Sequence, residues 1–262
     1  PAVMNRLPIG VRILAVLSFG FVSLPLLSLL WRVPWPRLWT LVASDTVTDA
    51  LFLSLTSSVF AALLALALGV PLALQLSKMS GFAASIARAV VVLPMILPPV
   101  VGGAALLFAF GRNGLVGSLV ADVSGVVLPY SISGVVLANT FVALPFVVIT
   151  VEGALRAIDP RYALAASTLR ANSSAITFRV VLPMVRPAVI AGGFIAWARA
   201  LGEFGATITF AGNIQGKTQT LPLAVFVALE SDREAALAMS VLLISVSLIV
   251  LISLRERWWP VR

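Results

Sequence analysis

The 262-residue sequence contains no cysteine and no histidine. Disulfide bonds, thiol nucleophiles, histidine general bases and the usual transition-metal ligands are therefore absent together. These absences exclude most catalytic constellations, and we expect no catalytic residue, no cofactor and no bound metal.

Charged residues are also scarce, at 11% of the chain, against about 25% in an ordinary soluble domain. Hydrophobic residues make up 60%, and the mean hydropathy is +1.09. So much apolar surface cannot be buried in one soluble core. The composition predicts a polytopic membrane protein, interpreted as a single transmembrane domain over residues 1–262.

The chain contains several long apolar runs. The length of each is close to the roughly 20 residues that a helix needs to cross a bilayer. They do not alternate apolar and polar residues as the strands of a membrane barrel do. We therefore predict an all-α fold with about six transmembrane helices. The first run lacks a small-residue cleavage pattern and is interpreted as a retained helix, not a secretory signal. The segments are 11–31, 50–77, 86–110, 129–151, 184–210 and 236–254.

The basic residues give a net charge of +8 and a pI near 11.4. No lysine-rich tail or aromatic-interleaved basic patch accompanies them, so no nucleic-acid partner is expected. Placing the N-terminus inside puts most of the 18 lysines and arginines in cytoplasmic loops, as the positive-inside rule requires. We expect a multi-pass protein of the cell membrane with both termini in the cytoplasm.

The octapeptide "AGNIQGKT", residues 211–218, fits a relaxed form of the phosphate-binding loop. Such a loop works only between a buried strand and the N-terminus of a helix. Here it lies between two apolar segments, on the predicted outer side. We interpret the match as accidental and expect the chain not to hydrolyse ATP itself.

The longest predicted cytoplasmic connection covers about residues 152–183. Asp159 followed by Pro160 is a helix-start signal, so a short helix is predicted from Pro160 to about Ala171. Asn172 is expected to end it in the left-handed conformation, and one of the next two serines to cap a second helix.

The first of these helices is rich in alanine and therefore narrow, which suits insertion into a groove on another protein. Tyr162 and Leu169 are its candidate anchors. The alternative is a solvated linker of helix-forming residues, and the pattern alone leaves both open.

The stretch "LAASTLRANSSAITFRVVLP" resembles the signature loop of the membrane subunits of ATP-binding-cassette (ABC) importers: Glu-Ala-Ala, three residues, Gly, nine residues, Ile-x-Leu-Pro. Four positions match: Ala165, Ala166, Leu182 and Pro183. Three differ, with Leu164, Arg170 and Val180 standing at the Glu, Gly and Ile. The resemblance implies a coupling helix that docks into a cleft of a cytoplasmic ATPase subunit. It implies a role there for Tyr162, Leu164, Ala165, Ala166, Leu169, Arg170 and Pro183.

Two further stretches, 93–117 ("LPMILPPVVGGAALLFAFGRNGLVG") and 198–226 ("ARALGEFGATITFAGNIQGKTQTLPLAVF"), resemble molybdate and tungstate permease subunits. Sulfate permeases have a similar "GEFGA" stretch. The resemblance implies a type I importer fold, a homodimer in membrane lipid, ATPase subunits inside and an oxyanion-binding protein outside. A sulfate or thiosulfate permease is the alternative, followed by a secondary anion carrier or a membrane scaffold.

The third segment contains more helix-breaking residues than a straight helix accepts: Pro94, Pro98, Pro99, Gly102 and Gly103. Irregular backbone at membrane depth survives only inside protein or beside a water-filled cavity. We expect a kinked helix on the translocation pathway. A bend packed between helices is the alternative.

The outer half of the fifth segment carries two charges, Arg199 and Glu203, which helical spacing places on one stripe with Gly192 and Ala196. We predict that Arg199 lines the route of an anion and that Glu203 holds it in place. A purely structural ion pair is the alternative. The neighbouring glycines join the candidate gate: Gly202 and Gly205.

Overall fold

A computed structural model describes residues 8–253, which contain no β-strand. The arginines at the chain ends that contributed to the predicted orientation, Arg6, Arg255, Arg257 and Arg262, lie outside the described residues. The helices are α1 (Ile9–Trp31), α2 (Leu38–Val42), α3 (Asp45–Lys78), α4 (Gly81–Ile96), α5 (Pro99–Phe110), α6 (Gly117–Ser124), α7 (Ile132–Arg156), α8 (Arg161–Thr168), α9 (Ser173–Ile176), α10 (Leu182–Met184), α11 (Arg186–Leu201), α12 (Gly205–Ala211), α13 (Leu221–Ser231) and α14 (Arg233–Ser253). A 3-10 turn, Trp35–Arg37, precedes α2, and a π-helical turn, Thr177–Val181, joins α9 to α10.

All six predicted apolar segments are helical in the structure. Four helices are long and apolar enough to cross a bilayer on their own: α1, α3, α7 and α14. Two bent pairs of helices could each form a further span: α4 with α5, bent by 115°, and the α9–α10 stretch with α11, bent by 67°. The described part of the chain therefore has four to six spans, and the all-α prediction is confirmed.

The central bundle of α3, α7 and α11 is packed through residues with small side chains. A Cβ on Gly69 of α3 would lie 2.9 Å from Val147 of α7, and one on Gly193 of α11 would lie 2.9 Å from Leu66. Small residues let helix backbones approach closely, which is how membrane helices associate without a hydrophobic driving force between them. The buried residues here are mostly alanine and valine.

Helix α13 was not predicted, because its 11 residues fell within the expected outer loop between the fifth and sixth segments. Pro222 occupies its first turn, where a missing N–H costs nothing. The N–H of Leu221 donates to the hydroxyl of Ser54 on α3 at 2.6 Å, and both residues are buried. A second apolar cluster joins this helix to α3 and α14.

Helix α1 stands apart from the bundle. None of its residues is buried, and its apolar side chains are exposed on every face.

Candidate functional site

The break between α4 and α5 is caused by two consecutive prolines. Leu97 and Pro98 are extended, with ψ of 140° and 131°, and Pro99 begins α5. Proline disfavours the helical conformation in the residue before it and removes a backbone donor. The predicted kink is present and sharp, with a bend of 115° between α4 and α5.

A second break interrupts the fifth predicted segment. Helix α11 ends at Leu201 and α12 begins at Gly205, so Glu203 lies in the turn between them. The prediction that Glu203 shares a continuous helical stripe with Arg199 is therefore wrong. The turn forms because one carboxylate oxygen of Glu203, Oε1, accepts the backbone N–H of Ala206 at 2.9 Å and so caps α12.

The other carboxylate oxygen of Glu203 forms an ion pair with Arg199. The distance from Oε2 to Nη1 is 2.6 Å. Only 1% of the Glu203 side chain is exposed, against 33% for Arg199. A buried carboxylate needs a partner, and Arg199 supplies it while leaving part of its guanidinium accessible.

The two breaks meet in space. A Cβ added to Gly205 would collide with the ring of Pro99, and one added to Gly103 would lie 2.9 Å from the carbonyl oxygen of Ala206. Gly102 faces Phe141 of α7, with 3.4 Å available for a Cβ. Helices α5 and α12, the second halves of two broken segments, therefore lie against each other at van der Waals distance. Gly202 is exposed beside this contact.

A buried polar contact behind the two breaks was missed in the sequence. The hydroxyl of Thr207 on α12 donates to Oδ1 of Asn139 on α7 at 3.1 Å, and both residues are buried. Buried polar groups require partners, and here the pair fixes α12 against the central bundle. Neither residue belongs to a recognisable motif, and they lie 68 positions apart.

The predicted coupling loop forms two helices, as expected, with different ends. Oδ1 of Asp159 accepts the N–H of Arg161 at 2.9 Å, and α8 begins at Arg161, one residue later than predicted. Helix α8 ends at Thr168, three residues earlier than predicted. Asn172 is not left-handed: with φ of −75° it caps α9, its Oδ1 accepting the N–H of Ala175 at 2.8 Å.

Arg170 adopts the left-handed conformation instead, with φ of 62°. Its N–H donates to the carbonyl of Ser167, and the N–H of Ala171 donates to that of Ala166. These two bonds form a Schellman motif, whose left-handed position is usually glycine. Arg170 therefore occupies a turn that disfavours a side chain.

The candidate docking residues lie on the surface. Tyr162, Leu164 and Leu169 are 55%, 63% and 84% exposed. Ala165 and Pro183 are exposed, while Ala166 is half-buried. Large apolar side chains exposed on a polar connecting loop are typical of interaction sites.

The octapeptide at residues 211–218 has no phosphate-binding geometry. It connects α12 to α13, and a helix precedes it where a strand is required. The carbonyl of Ile214 accepts the N–H groups of Lys217, Thr218 and Gln219, and the Thr218 hydroxyl accepts the N–H of Ile214. Three amides of the octapeptide, those of Ile214, Lys217 and Thr218, are thus used within the loop itself. Across residues 8–253, no group of three or more acidic, histidine or cysteine side chains is placed to hold a metal ion.

Comparisons with known proteins agree with this architecture. Residues 65–256 match the family model of the binding-protein-dependent transport system inner membrane component. The chain is 43% identical to the molybdenum transport system permease protein ModB of Mycobacterium tuberculosis, over 96% of this chain and 95% of the relative. It is 34% identical to the sulfate transport system permease protein CysT of Salmonella typhimurium, over 85% of this chain and 80% of that one.

Among solved structures, a chain of a bacterial alginate ABC transporter, crystallised in complex with an alginate-bound periplasmic protein, has the same fold. The TM-score is 0.74 at 18% identity, covering 94% of this chain and 92% of that chain. The apolar spans, the family match and the relatives lead to one conclusion: the chain belongs to the inner membrane components of binding-protein-dependent transport systems.

Proposed function

We propose that this chain is the membrane-spanning subunit of an ATP-driven importer for a tetrahedral oxyanion, molybdate first and tungstate second. The observation that carries the proposal is the 43% identity, over 96% of the chain, to a molybdenum transport permease. The sulfate permease relative is more distant, at 34% over 85% of this chain, so a sulfate permease is the alternative.

ATP is hydrolysed by a separate subunit, which docks on α8. Leu164 and Leu169 supply the apolar contact, since both side chains are largely exposed. Tyr162, Ala165 and Ala166 lie on the same short helix. Pro183 follows the π-helical turn that leads towards α11, so the docked motor is connected through few residues to the broken fifth segment.

The two helix breaks form the gate. Pro98, Pro99, Gly102 and Gly103 contribute from one segment and Gly202 and Gly205 from the other, and Gly205 lies directly against Pro99. Transport proteins commonly bind or gate where helices are interrupted at membrane depth. Arg199 gives this region a partly accessible positive charge that favours an anion.

The functional unit contains two copies of the chain, each acting as one transmembrane domain over its whole length. Both termini and the loop 152–183 face the cytoplasm, as the distribution of basic residues favours. Lipid surrounds the exposed apolar helices, and an external binding protein delivers the oxyanion.

Reconstitution tests the proposal. The chain, co-expressed with its ATPase subunit, is placed in liposomes with molybdate and an oxyanion-binding protein outside and ATP inside, where the ATPase faces the lumen. We expect molybdate uptake that requires ATP and is competed by tungstate. Competition by sulfate at equal concentration, with no preference for molybdate, would favour the sulfate alternative. Uptake that proceeds without ATP on an ion gradient would identify a secondary carrier and overturn the proposal.

A further inference from the structure

Glu152, in the last full turn of α7, binds two arginines at once. Its Oε1 accepts from Nε of Arg88 on α4 at 2.7 Å and from Nε of Arg156 at 2.9 Å. The carboxylate side chain is only 10% exposed, whereas those of Arg88 and Arg156 are 28% and 49% exposed. The sequence alone gave Arg88 and Arg156 no role beyond loop charges.

Arg88 extends this contact to a third helix. Its Nη2 donates to the carbonyl of Leu76 at 2.8 Å and to that of Met79 at 3.1 Å, at the end of α3. Carbonyls at a helix C-terminus have no partner within the helix, so one guanidinium both caps α3 and holds α7. We name the group of Arg88, Glu152 and Arg156 the inner clasp.

The inner clasp lies beside an open groove between α4 and α7. The groove has a volume of about 370 Å³ and is lined in part by Val91, Val92 and Ile149. In α4, Ala84 is the one fully buried residue, and it lies one turn before Arg88. Helix α4 is therefore attached to the bundle from Ala84 to Val91, and its remaining residues up to the break are not buried.

The inner clasp lies between the coupling loop and the gate. Helix α7 ends at Arg156, and α8 begins at Arg161. In the other direction, α4 runs from Arg88 to the break at Leu97, nine residues or roughly 13 Å along the helix axis. A movement of α8 that displaces the end of α7 is thus passed to α4 wherever the Glu152–Arg88 contact holds.

We propose that Glu152 is the positioning residue that couples the ATPase-docking loop to the broken α4–α5 segment. The proposal rests on the proposed function and extends it. Without the carboxylate, two neighbouring guanidiniums repel each other and α4 loses its charged contact with α7. The α3–α7–α11 packing keeps its small-residue contacts, so the fold survives while the linkage fails.

Proteoliposomes that carry the chain with its ATPase subunit test this through the ratio of ATP hydrolysed to oxyanion imported. We expect Glu152→Gln to raise this ratio about tenfold, with ATP hydrolysis largely retained. The matched control is Glu234→Gln, which removes the exposed ion pair with Arg37 and should leave the ratio unchanged.

The double variant Arg88→Gln with Glu152→Gln identifies the route. If Glu152 acts through Arg88, the ratio of ATP hydrolysed to oxyanion imported should be the same in the double variant as in Glu152→Gln alone. A ratio that rises further in the double variant than in Glu152→Gln would overturn the proposal. An unchanged ratio in Glu152→Gln would overturn it as well. A parallel fall of uptake and hydrolysis would also overturn it, because that is the signature of a purely structural role.

Spin labels give a readout that does not depend on transport. Cysteines at Ser85 of α4 and Gly153 of α7 are both at exposed positions, and a Cβ at Gly153 meets nothing within 4 Å. We expect one narrow label distance in the nucleotide-free and ATP-bound complexes, and a broad distribution in Glu152→Gln. A narrow distribution in the variant would overturn the inner clasp, whereas absence of uptake in the wild type would overturn only the proposed function.

Discussion

Pro99 lies directly against the α-carbon of Gly205, at the point where two broken helical segments meet. The contact depends on a missing side chain, because any Cβ on Gly205 would occupy the space of the proline ring. Two interruptions that are about a hundred residues apart in sequence are thereby held as one unit.

Gly205→Ala tests this contact. Overpacking should lower stability by about 1–3 kcal/mol and reduce uptake, since α5 and α12 must move apart. Thermal unfolding of the purified permease measures the first effect and reconstituted transport the second. Gly153→Ala is the control, because it is also a helical glycine but has open space. Equal melting temperatures for the two variants would contradict the predicted collision.

Arg199→Ala should be more damaging than Glu203→Gln. The first leaves a buried carboxylate unpaired, which costs about 3–5 kcal/mol for a fully buried pair and less here, where Arg199 is partly exposed. The second keeps an acceptor for the Ala206 N–H and leaves an arginine with access to solvent. The yield of folded protein and the rate of oxyanion uptake, measured for both variants, show which substitution is the more damaging.

The double variant Arg199→Ala with Glu203→Gln distinguishes a structural role of Arg199 from a role in transport. If Arg199 serves only to neutralise Glu203, removing both charges should restore uptake. We expect uptake to stay low while stability recovers, because the positive charge that favours the anion is still missing. Recovery of both would exclude Arg199 from the pathway.

Arg170→Gly should stabilise the end of α8. A side chain in the left-handed conformation costs about 1–2 kcal/mol, and glycine recovers about 1 kcal/mol after its own entropic cost. Hydrogen exchange of the α8 amides should slow several-fold. Ser167→Gly, inside the same helix, should accelerate it, which provides a control of opposite sign.

Leu169→Ser should weaken ATPase docking without affecting the fold, because the side chain is 84% exposed. Co-purification of the ATPase subunit from membranes measures the effect, and we expect a loss of about tenfold, as for an apolar anchor at an interface. Val123→Ser, at an equally exposed position on α6, should have no effect. Full retention of the ATPase by Leu169→Ser would place the docking surface elsewhere.

Membrane orientation can be read with single cysteines, since the sequence has none of its own. In intact spheroplasts, a membrane-impermeant maleimide should label Lys217→Cys but not Ala165→Cys. Both positions are exposed, so the difference would report the side of the membrane. Labelling of Ala165→Cys from outside would reverse the proposed topology.

The sequence predicted the elements that depend on local composition. Long apolar runs identified all six helical segments, and Asp159 with Pro160 located the start of α8. The angle of the α4–α5 break could not be predicted, because the prolines determine only that the helix is interrupted. The direction taken after Pro98 depends on packing against α12, which lies far away in sequence.

The features that the sequence analysis did not predict all depend on contacts with other parts of the chain. Glu203 was assigned one partner, Arg199, although its second oxygen caps a helix whose start was not visible in the apolar pattern. The Asn139–Thr207 bond and the Glu152–Arg88 pair join residues 68 and 64 positions apart. Helix α13 is too short to resemble a span, and only its contacts with α3 and α14 identify it as part of the bundle.

The glycine- and alanine-lined centre of α3, α7 and α11 has a consequence for how the protein tolerates variation. In a core built from leucine and phenylalanine, most substitutions shrink a side chain and open a void. Here the glycine and alanine positions have almost nothing to remove, so a substitution at any of them inserts bulk between closely packed helices. Natural variants at Gly69, Gly193 or Ala196 should therefore be confined to the smallest residues.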